Sequence, residues 1–188
     1  NPFLIFRVLF AGNETQVAVS STVAVTLVKM SQCTTGGATN FTYGFTSTSS
    51  NAAQPSILIV DSLSFLDLIP PFPTNLFKIV GVGAQLTVAN TLARTGSGGT
   101  AIYAEDGCEV RLLSSTFRGF QYGLHVTNVG NGPLIRSTGV NLENTTYDVF
   151  IENALTTGYL SGYIDYAKQS INAVSSFFIT DKPVQTLK

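Results

Sequence analysis

The chain has 188 residues, which is enough for one domain with a sizeable core. Charged residues make up only 11% and the formal net charge is −1, so no basic patch is available to hold nucleic-acid phosphates. No apolar run approaches the roughly 20 residues of a membrane-spanning helix. We therefore expect neither nucleic acid nor an inserted membrane segment among the partners.

The first part of the chain, residues 1–54, shows no clean repeat and is rich in serine and threonine. The opening run NPFLIFRVLF is interrupted by Arg7 and has no suitable cleavage site after it, which favours a buried strand over a signal peptide. Terminal units of repeat folds are usually atypical. Residues 1–54 are therefore predicted to form an irregular β-rich N-terminal part or cap.

From residue 55 onwards, short runs of β-branched and aromatic residues alternate with clusters of Gly, Pro, Asn and Ser. Examples of these runs are SILIVDSLSFLDLI, LFKIVGVGAQLTVA, CEVRLL and SSFFIT. The segment nearest to helical periodicity, residues 163–174, has a composition that is weak for a helix. The pattern predicts an all-β protein.

A five-residue strand shape recurs as TAIYA from residue 100, YGLHV from residue 122 and YDVFI from residue 147. Each is followed by a turn, a second strand and a third short segment. A period of roughly 20–30 residues with three strands and no helix is typical of one coil of a parallel β-solenoid. Stacked coils bury together the inward side chains that a single coil cannot bury alone.

Alternation along the recurring strand predicts which side chains face inwards. Two positions are apolar in every copy, and these are Ile102, Leu124 and Val149, then Ala104, Val126 and Ile151. The position between them holds Tyr103, His125 and Phe150, which we expect to point outwards. An upstream unit, LFKIV from residue 76, requires a one-residue shift or a bulge, because the unshifted alignment turns Lys78 inwards.

The repeat predicts solenoid coils over residues 55–180, followed by a linker at 181–188 that leads to a further segment. An antiparallel β-sandwich or jelly roll is the alternative, since it also has many short strands. That alternative would not by itself produce three comparable units in sequence.

Residues 76–165 resemble the right-handed parallel β-helix superfamily, also called pectate-lyase-like. The resemblance is carried by GGTAIYAEDGCEVRLLSSTF, YGLHVTNVGNG and NTTYDVFIEN. Units of this type are similar to coils of phage and large-virus virion proteins. The resemblance implies a rigid rod that either builds a particle or degrades polysaccharide, and it includes no catalytic signature.

Glu105 and Glu152 are the candidates for a pair of catalytic carboxylates like that of a glycosidase. Glu105 and Glu152 follow equivalent strands two coils apart, hence about 10 Å from each other. This distance is compatible with hydrolysis, but Thr127 lies between them and no basic partner is evident, so we expect solvated turn acids. Glu105 and Asp106 offer too few oxygens for calcium. Neither a metal nor a cofactor is predicted.

The remaining candidates have structural explanations as well. Arg111 and Arg136 fall in the second strands of adjacent coils, so we expect a salt bridge to an acid such as Glu109, with an anionic ligand as the alternative. His125 is the only histidine, and no GxSxG motif accompanies it. Cys33 and Cys108, the two cysteines, are expected to be buried thiols.

These observations favour a non-enzymatic structural domain of a virion or other extracellular assembly, with other structural subunits as partners. Its partner or ligand surface is expected at Tyr103, His125, Phe150, Arg111 and Arg136. The alternative is a carbohydrate-binding or polysaccharide-degrading β-helix, a hydrolase or lyase, in which the outward rings stack on sugar and Glu105 and Glu152 are the acids.

Overall fold

The computed structural model describes residues 3–7, 9–10, 15–20, 26–31, 34–35, 43–68, 74–96, 98–173 and 177–181. These residues form 21 strands and one 3-10 helix, Tyr166–Lys168. The strands are β1 (Phe3–Phe6), β2 (Leu9–Phe10), β3 (Thr15–Ser20), β4 (Thr26–Ser31), β5 (Thr34–Thr35), β6 (Tyr43–Thr48), β7 (Ser56–Asp61), β8 (Ser64–Leu68), β9 (Asn75–Val80), β10 (Ala84–Ala89), β11 (Leu92–Thr95), β12 (Thr100–Glu105), β13 (Glu109–Leu113), β14 (Thr116–Arg118), β15 (Tyr122–Val126), β16 (Leu134–Thr138), β17 (Val140–Glu143), β18 (Tyr147–Ile151), β19 (Thr157–Ile164), β20 (Gln169–Ile171) and β21 (Phe177–Asp181).

Every third strand lies beside its predecessor, which produces three faces. Face 1 consists of β1, β4, β7, β10, β13, β16 and the first half of β19, with β21 beyond it. Face 2 consists of β2, β5, β8, β11, β14, β17 and the second half of β19. Face 3 stacks β3, β6, β9, β12, β15, β18 and β20. The molecule is a parallel β-solenoid, as the repeat predicted.

All pairings among the described strands are parallel. The alternative of an antiparallel sandwich or jelly roll is therefore wrong, because both require antiparallel neighbours. Parallel stacking arises here because each strand meets its equivalent one coil away, and both run in the same direction.

The register of face 3 confirms the predicted columns. Ile102, Leu124 and Val149 are direct partners, and so are Ala104, Val126 and Ile151. All six side chains are buried. In the upstream unit, Asn75 rather than Leu76 lies opposite Thr100, which places Lys78 beside Tyr103 on the outside. The predicted one-residue shift is confirmed.

Strands from the first 54 residues belong to the same faces. β4 pairs with β7 over six residues and β6 pairs with β9 over most of its length. The sheets therefore show no break at residue 54 among the described strands. Residues 182–188, part of the predicted linker, lie outside the described residues.

The interior is a continuous apolar column that includes stacked aromatic rings. Phe45 and Phe77 stack with their centroids 5.4 Å apart, and Phe117 meets Phe77 edge to face at 6.4 Å. All three rings are fully buried. Burial of one such side chain contributes about 1.5–3 kcal/mol, so the column provides most of the stability that the short strands lack individually.

Gly158 lies where β19 packs closely against β16, so a substitution there tests this packing. It lies opposite Ile135 with φ of +120°, and a Cβ there would overlap the Ile135 carbonyl oxygen. Gly139 also has positive φ, +68°, but a Cβ there would meet nothing closer than 3.8 Å. We expect Gly158→Ala to lower the free energy of unfolding by about 3 kcal/mol or more, and Gly139→Ala by about 1–2 kcal/mol. Urea unfolding of both variants measures the difference, and equal losses would contradict the packing described here.

Candidate functional site

The predicted outward column forms part of a cluster of aromatic rings on face 3. Tyr103, His125 and Phe150 are direct partners in the register, and the His125 ring lies 5.6 Å from Tyr103 and 5.1 Å from Phe150. Tyr122 and Tyr147 join them, stacked on each other at 5.9 Å with an interplanar angle of 13°. We call these five rings the aromatic ladder.

The rings of the aromatic ladder contact one another both within a strand and between neighbouring coils. Tyr122 stacks on His125 of its own strand at 5.0 Å, and Tyr147 lies 4.9 Å from Phe150 of its own strand. The contacts between coils, such as that of Tyr122 with Tyr147, each add about 0.5–1.5 kcal/mol to the cohesion of neighbouring coils. The ring faces of Tyr122 and Tyr147 are directed at neighbouring rings, whereas a sugar-binding platform presents an open face to solvent.

The sequence missed Tyr122 and Tyr147. Strict alternation assigns them to the same side as Leu124 and Val149, which is the inside. Instead, their rings contact His125 and Phe150 on the outer surface. The sequence feature that could have indicated this position is the tyrosine that begins both YGLHV and YDVFI.

The candidate acids contact the aromatic ladder. The Tyr103 hydroxyl donates a hydrogen bond of 2.8 Å to Glu105, and His125 Nε2 lies 3.0 Å from Glu152 Oε2. Backbone hydrogen bonds align Thr127 between the two acids, which places the acids two strand spacings, about 10 Å, apart. Among the described residues, no group of three or more His, Cys, Asp or Glu side chains is suited to a metal ion.

The candidate arginines lie on face 1. Arg111 and Arg136 are direct partners between β13 and β16. Glu109 Oε1 contacts both, at 2.7 Å from Arg111 Nη2 and 3.3 Å from Arg136 Nη1. The predicted salt bridge to Glu109 is confirmed. Such exposed pairs contribute at most about 1 kcal/mol each, so their main effect is to offset repulsion between the two guanidinium groups.

A polar cavity of about 280 Å³ lies where face 2 turns towards face 3, and the sequence did not predict it. Its lining consists of Arg118, Leu142, Glu143, Asp148, Tyr163, Asp165 and Lys168. The sequence feature that could have indicated the cavity is Asp148 in the strand YDVFI, at a position where TAIYA has alanine and YGLHV has glycine. Arg118 and Lys168 come from segments at least 20 residues away from Asp148, so only the fold brings these side chains together.

Asp148 is fully buried and is held by three hydrogen bonds. Its Oδ1 accepts from the backbone N–H of Asn144 at 2.7 Å and from the Asn144 amide at 3.2 Å, and its Oδ2 accepts from the N–H of Asp165 at 2.9 Å. Lys168 Nζ donates to the Asn144 carbonyl at 2.7 Å. Burial raises the pKa of Asp148, and the hydrogen bonds and Lys168 only partly oppose this effect.

The one cysteine that the structure describes, Cys108, is a buried free thiol, as predicted. Burial raises its pKa to about 12, so it is a poor nucleophile. Cys33 lies outside the described residues.

Asp148 gives the protein a defined pH dependence. A carboxyl whose pKa is raised on folding contributes stability that is fully present below its ordinary value of 3.8 and is lost as the pH rises through the folded value. Asp148→Asn removes this dependence. We expect the free energy of unfolding of the native chain, measured relative to the variant by urea unfolding, to fall as the pH rises above about 3.8. A difference that stays constant with pH would show that burial does not govern this group.

The buried thiol predicts slow alkylation. In a Cys33→Ser variant, where Cys108 is the only thiol, iodoacetamide at mildly alkaline pH should label the folded protein at least about 100-fold more slowly than the urea-unfolded protein. Mass spectrometry measures the labelled fraction. Equal rates in the two states would contradict the burial of Cys108.

No helix among the described residues has the length and apolar character required to cross a bilayer. The chain matches no family model, and neither the curated proteins nor the solved structures contain a match to it.

Proposed function

We propose that this chain is a structural β-solenoid domain, a rigid spacer and interface within a virion or other extracellular assembly, with other structural subunits as partners. One observation carries the proposal: each acidic side chain that the structure describes accepts a hydrogen bond from within the solenoid. These acids are Asp61, Glu105, Asp106, Glu109, Glu143, Asp148, Glu152 and Asp165.

Several of these contacts join one coil to the next. Asn90 donates to Asp61, the backbone N–H of Asn131 donates to Asp106, and Arg118 pairs with Glu143 at 3.2 Å. A glycosidase instead needs one carboxyl group to protonate the leaving oxygen and a second to attack or to activate water. Acids that connect neighbouring coils support a scaffold, in which polar side chains stabilise the stack.

The composition supports the same role. Only 11% of residues are charged, and charged residues are depleted at the cores of protein–protein interfaces. The resemblance of residues 76–165 to coils of phage and large-virus virion proteins supports the proposed location in a particle.

A carbohydrate-binding or polysaccharide-degrading β-helix, a hydrolase or lyase, is the second candidate. Glu105 and Glu152 favour it, because they share one outer line about 10 Å apart, slightly beyond the range of inverting hydrolases. The contacts of Tyr103 and His125 with these acids weigh against it, as does the mutual stacking of the ring faces.

A panel of neutral and acidic polysaccharides separates the two functions. We expect the chain to release neither reducing ends nor unsaturated products, because each carboxylate that the structure describes, including Glu105 and Glu152, is held by a hydrogen bond within the solenoid. Polysaccharide cleavage by the native chain that is lost in Glu105→Gln or Glu152→Gln would refute the structural proposal. Glu109→Gln is the matched control, since it changes an acid on face 1 that is held by Arg111 and Arg136.

A further inference from the structure

A lysine, an asparagine and an aspartate meet beside the polar cavity. Lys168 Nζ lies 2.7 Å from the main-chain oxygen of Asn144, and the amide nitrogen of Asn144 lies 3.2 Å from Asp148 Oδ1. Asn144 is only 2% exposed and Asp148 is fully buried. A primary amine, a carboxamide and a carboxyl group therefore converge, and two of these three groups are shielded from water.

The lysine is held at both ends of its short helix. The N–H of Asp165, which precedes the 3-10 helix Tyr166–Lys168, donates to Asp148 Oδ2 at 2.9 Å. At the other end, the ammonium group donates to Asn144. Because this ammonium group sits on a flexible four-carbon stem, it can exchange the main-chain oxygen of Asn144 for the side-chain carbon Cγ of the same residue.

The carboxamide of Asn144 is hydrogen-bonded at both of its polar atoms. Its Oδ1 accepts from the N–H of Phe120 at 3.1 Å, and its Nδ2 donates to Asp148. A Cβ at Gly123 would overlap Nδ2, so this glycine makes room for the amide. Acyl transfer requires both contacts, because the N–H stabilises the oxyanion that develops on Oδ1 and the carboxyl group protonates the leaving nitrogen.

We propose that Lys168 and Asn144 form an intramolecular isopeptide bond, with Asp148 as the general base and general acid. Asp148 first takes a proton from the ammonium group of Lys168. Nζ then attacks Cγ of Asn144, and the N–H of Phe120 stabilises the negative charge on Oδ1. The bond from Cγ to Nδ2 breaks as Asp148 gives its proton to the leaving nitrogen.

The reaction balances within the chain. One C–N bond replaces another, no electron is transferred, and the excess proton of Nζ passes through Asp148 to the ammonia, which leaves as ammonium. Burial raises the pKa of Asp148, so its carboxylate accepts the lysine proton more readily. The burial of Asn144 excludes water as a competing nucleophile. The polar cavity, which Asp148 and Lys168 both line, provides space for the amine to turn and for the ammonia to leave.

The bond joins neighbouring coils near the end of the stack. Asn144 lies between β17 and β18, and Lys168 lies 24 residues later, directly before β20, the last strand of face 3. A covalent link of this kind restricts the unfolded chain as a disulfide does. The proposal goes beyond the structural role proposed above and does not depend on it, because a scaffold and an enzyme gain the same stability.

Mass spectrometry of the folded 188-residue chain tests the proposal. We expect the native chain to be lighter than its sequence by one ammonia molecule. Lys168→Arg keeps the cation but has no amine to acylate, so it should retain its full mass. Trypsin does not cleave after an acylated lysine, so the native chain should yield residues 137–188 as one peptide, whereas Lys168→Arg should be cleaved after residue 168.

Two substitutions of acids in the polar cavity separate chemistry from packing. Asp148→Asn keeps the size of the side chain and removes the acid, so this variant should retain its full mass. Glu143→Gln is the matched control, because Glu143 lines the same cavity but contacts Arg118 and Asn141 instead of the reacting groups. It should lose ammonia as completely as the native chain. Circular dichroism establishes that each variant is folded.

Three results would overturn the proposal. Full mass in the folded native chain excludes the bond. Loss of water instead of ammonia places the acyl group on a carboxylate such as Asp148 rather than on Asn144. Loss of ammonia with normal cleavage after Lys168 indicates a succinimide at an asparagine. None of these results affects the polysaccharide test, so the isopeptide bond and the structural role stand or fall separately.

Discussion

The parallel register between each strand and its equivalent one coil away is the constraint on which the rest of the structure depends. It brings equivalent positions within about 4.8 Å of each other, so every side chain has two fixed neighbours along the axis. Inside, this produces the continuous columns that include Ile102, Leu124 and Val149. Outside, it determines which rings stack, which acids find donors and which charges repel.

The outer columns show how the chain uses these fixed neighbours. Aromatic residues at two equivalent positions make the aromatic ladder on face 3, and Glu109 offsets the repulsion between Arg111 and Arg136 on face 1. The backbone N–H of Asn131 likewise donates a hydrogen bond to Asp106 of the preceding coil. Polar groups that would mark a catalytic site in another fold here stabilise the joining of successive coils.

The sequence predicted what depends on local alternation and period. The inward columns, the outward position of Tyr103, His125 and Phe150, and the shift that moves Lys78 outwards all follow from a two-residue alternation within repeated strands. Tyr122 and Tyr147 were missed, because strict alternation assigns both to the inside, although a large polar ring begins each strand. The cavity could not be predicted either, since Arg118, Asp148 and Lys168 approach only when three segments stack.

In a stack of equivalent positions, two like charges in adjacent coils repel unless an opposite charge of the same chain lies beside them. Arg111 and Arg136 share Glu109 from their own chain. On face 2, Arg118 and Glu143 are direct partners, and their side chains form an ion pair at 3.2 Å. Opposite charges at equivalent positions of adjacent coils therefore attract each other without any third group. The same register makes a column of like charges unfavourable and a column of opposite charges favourable, so the residue type at each outer position decides whether that position stabilises the stack.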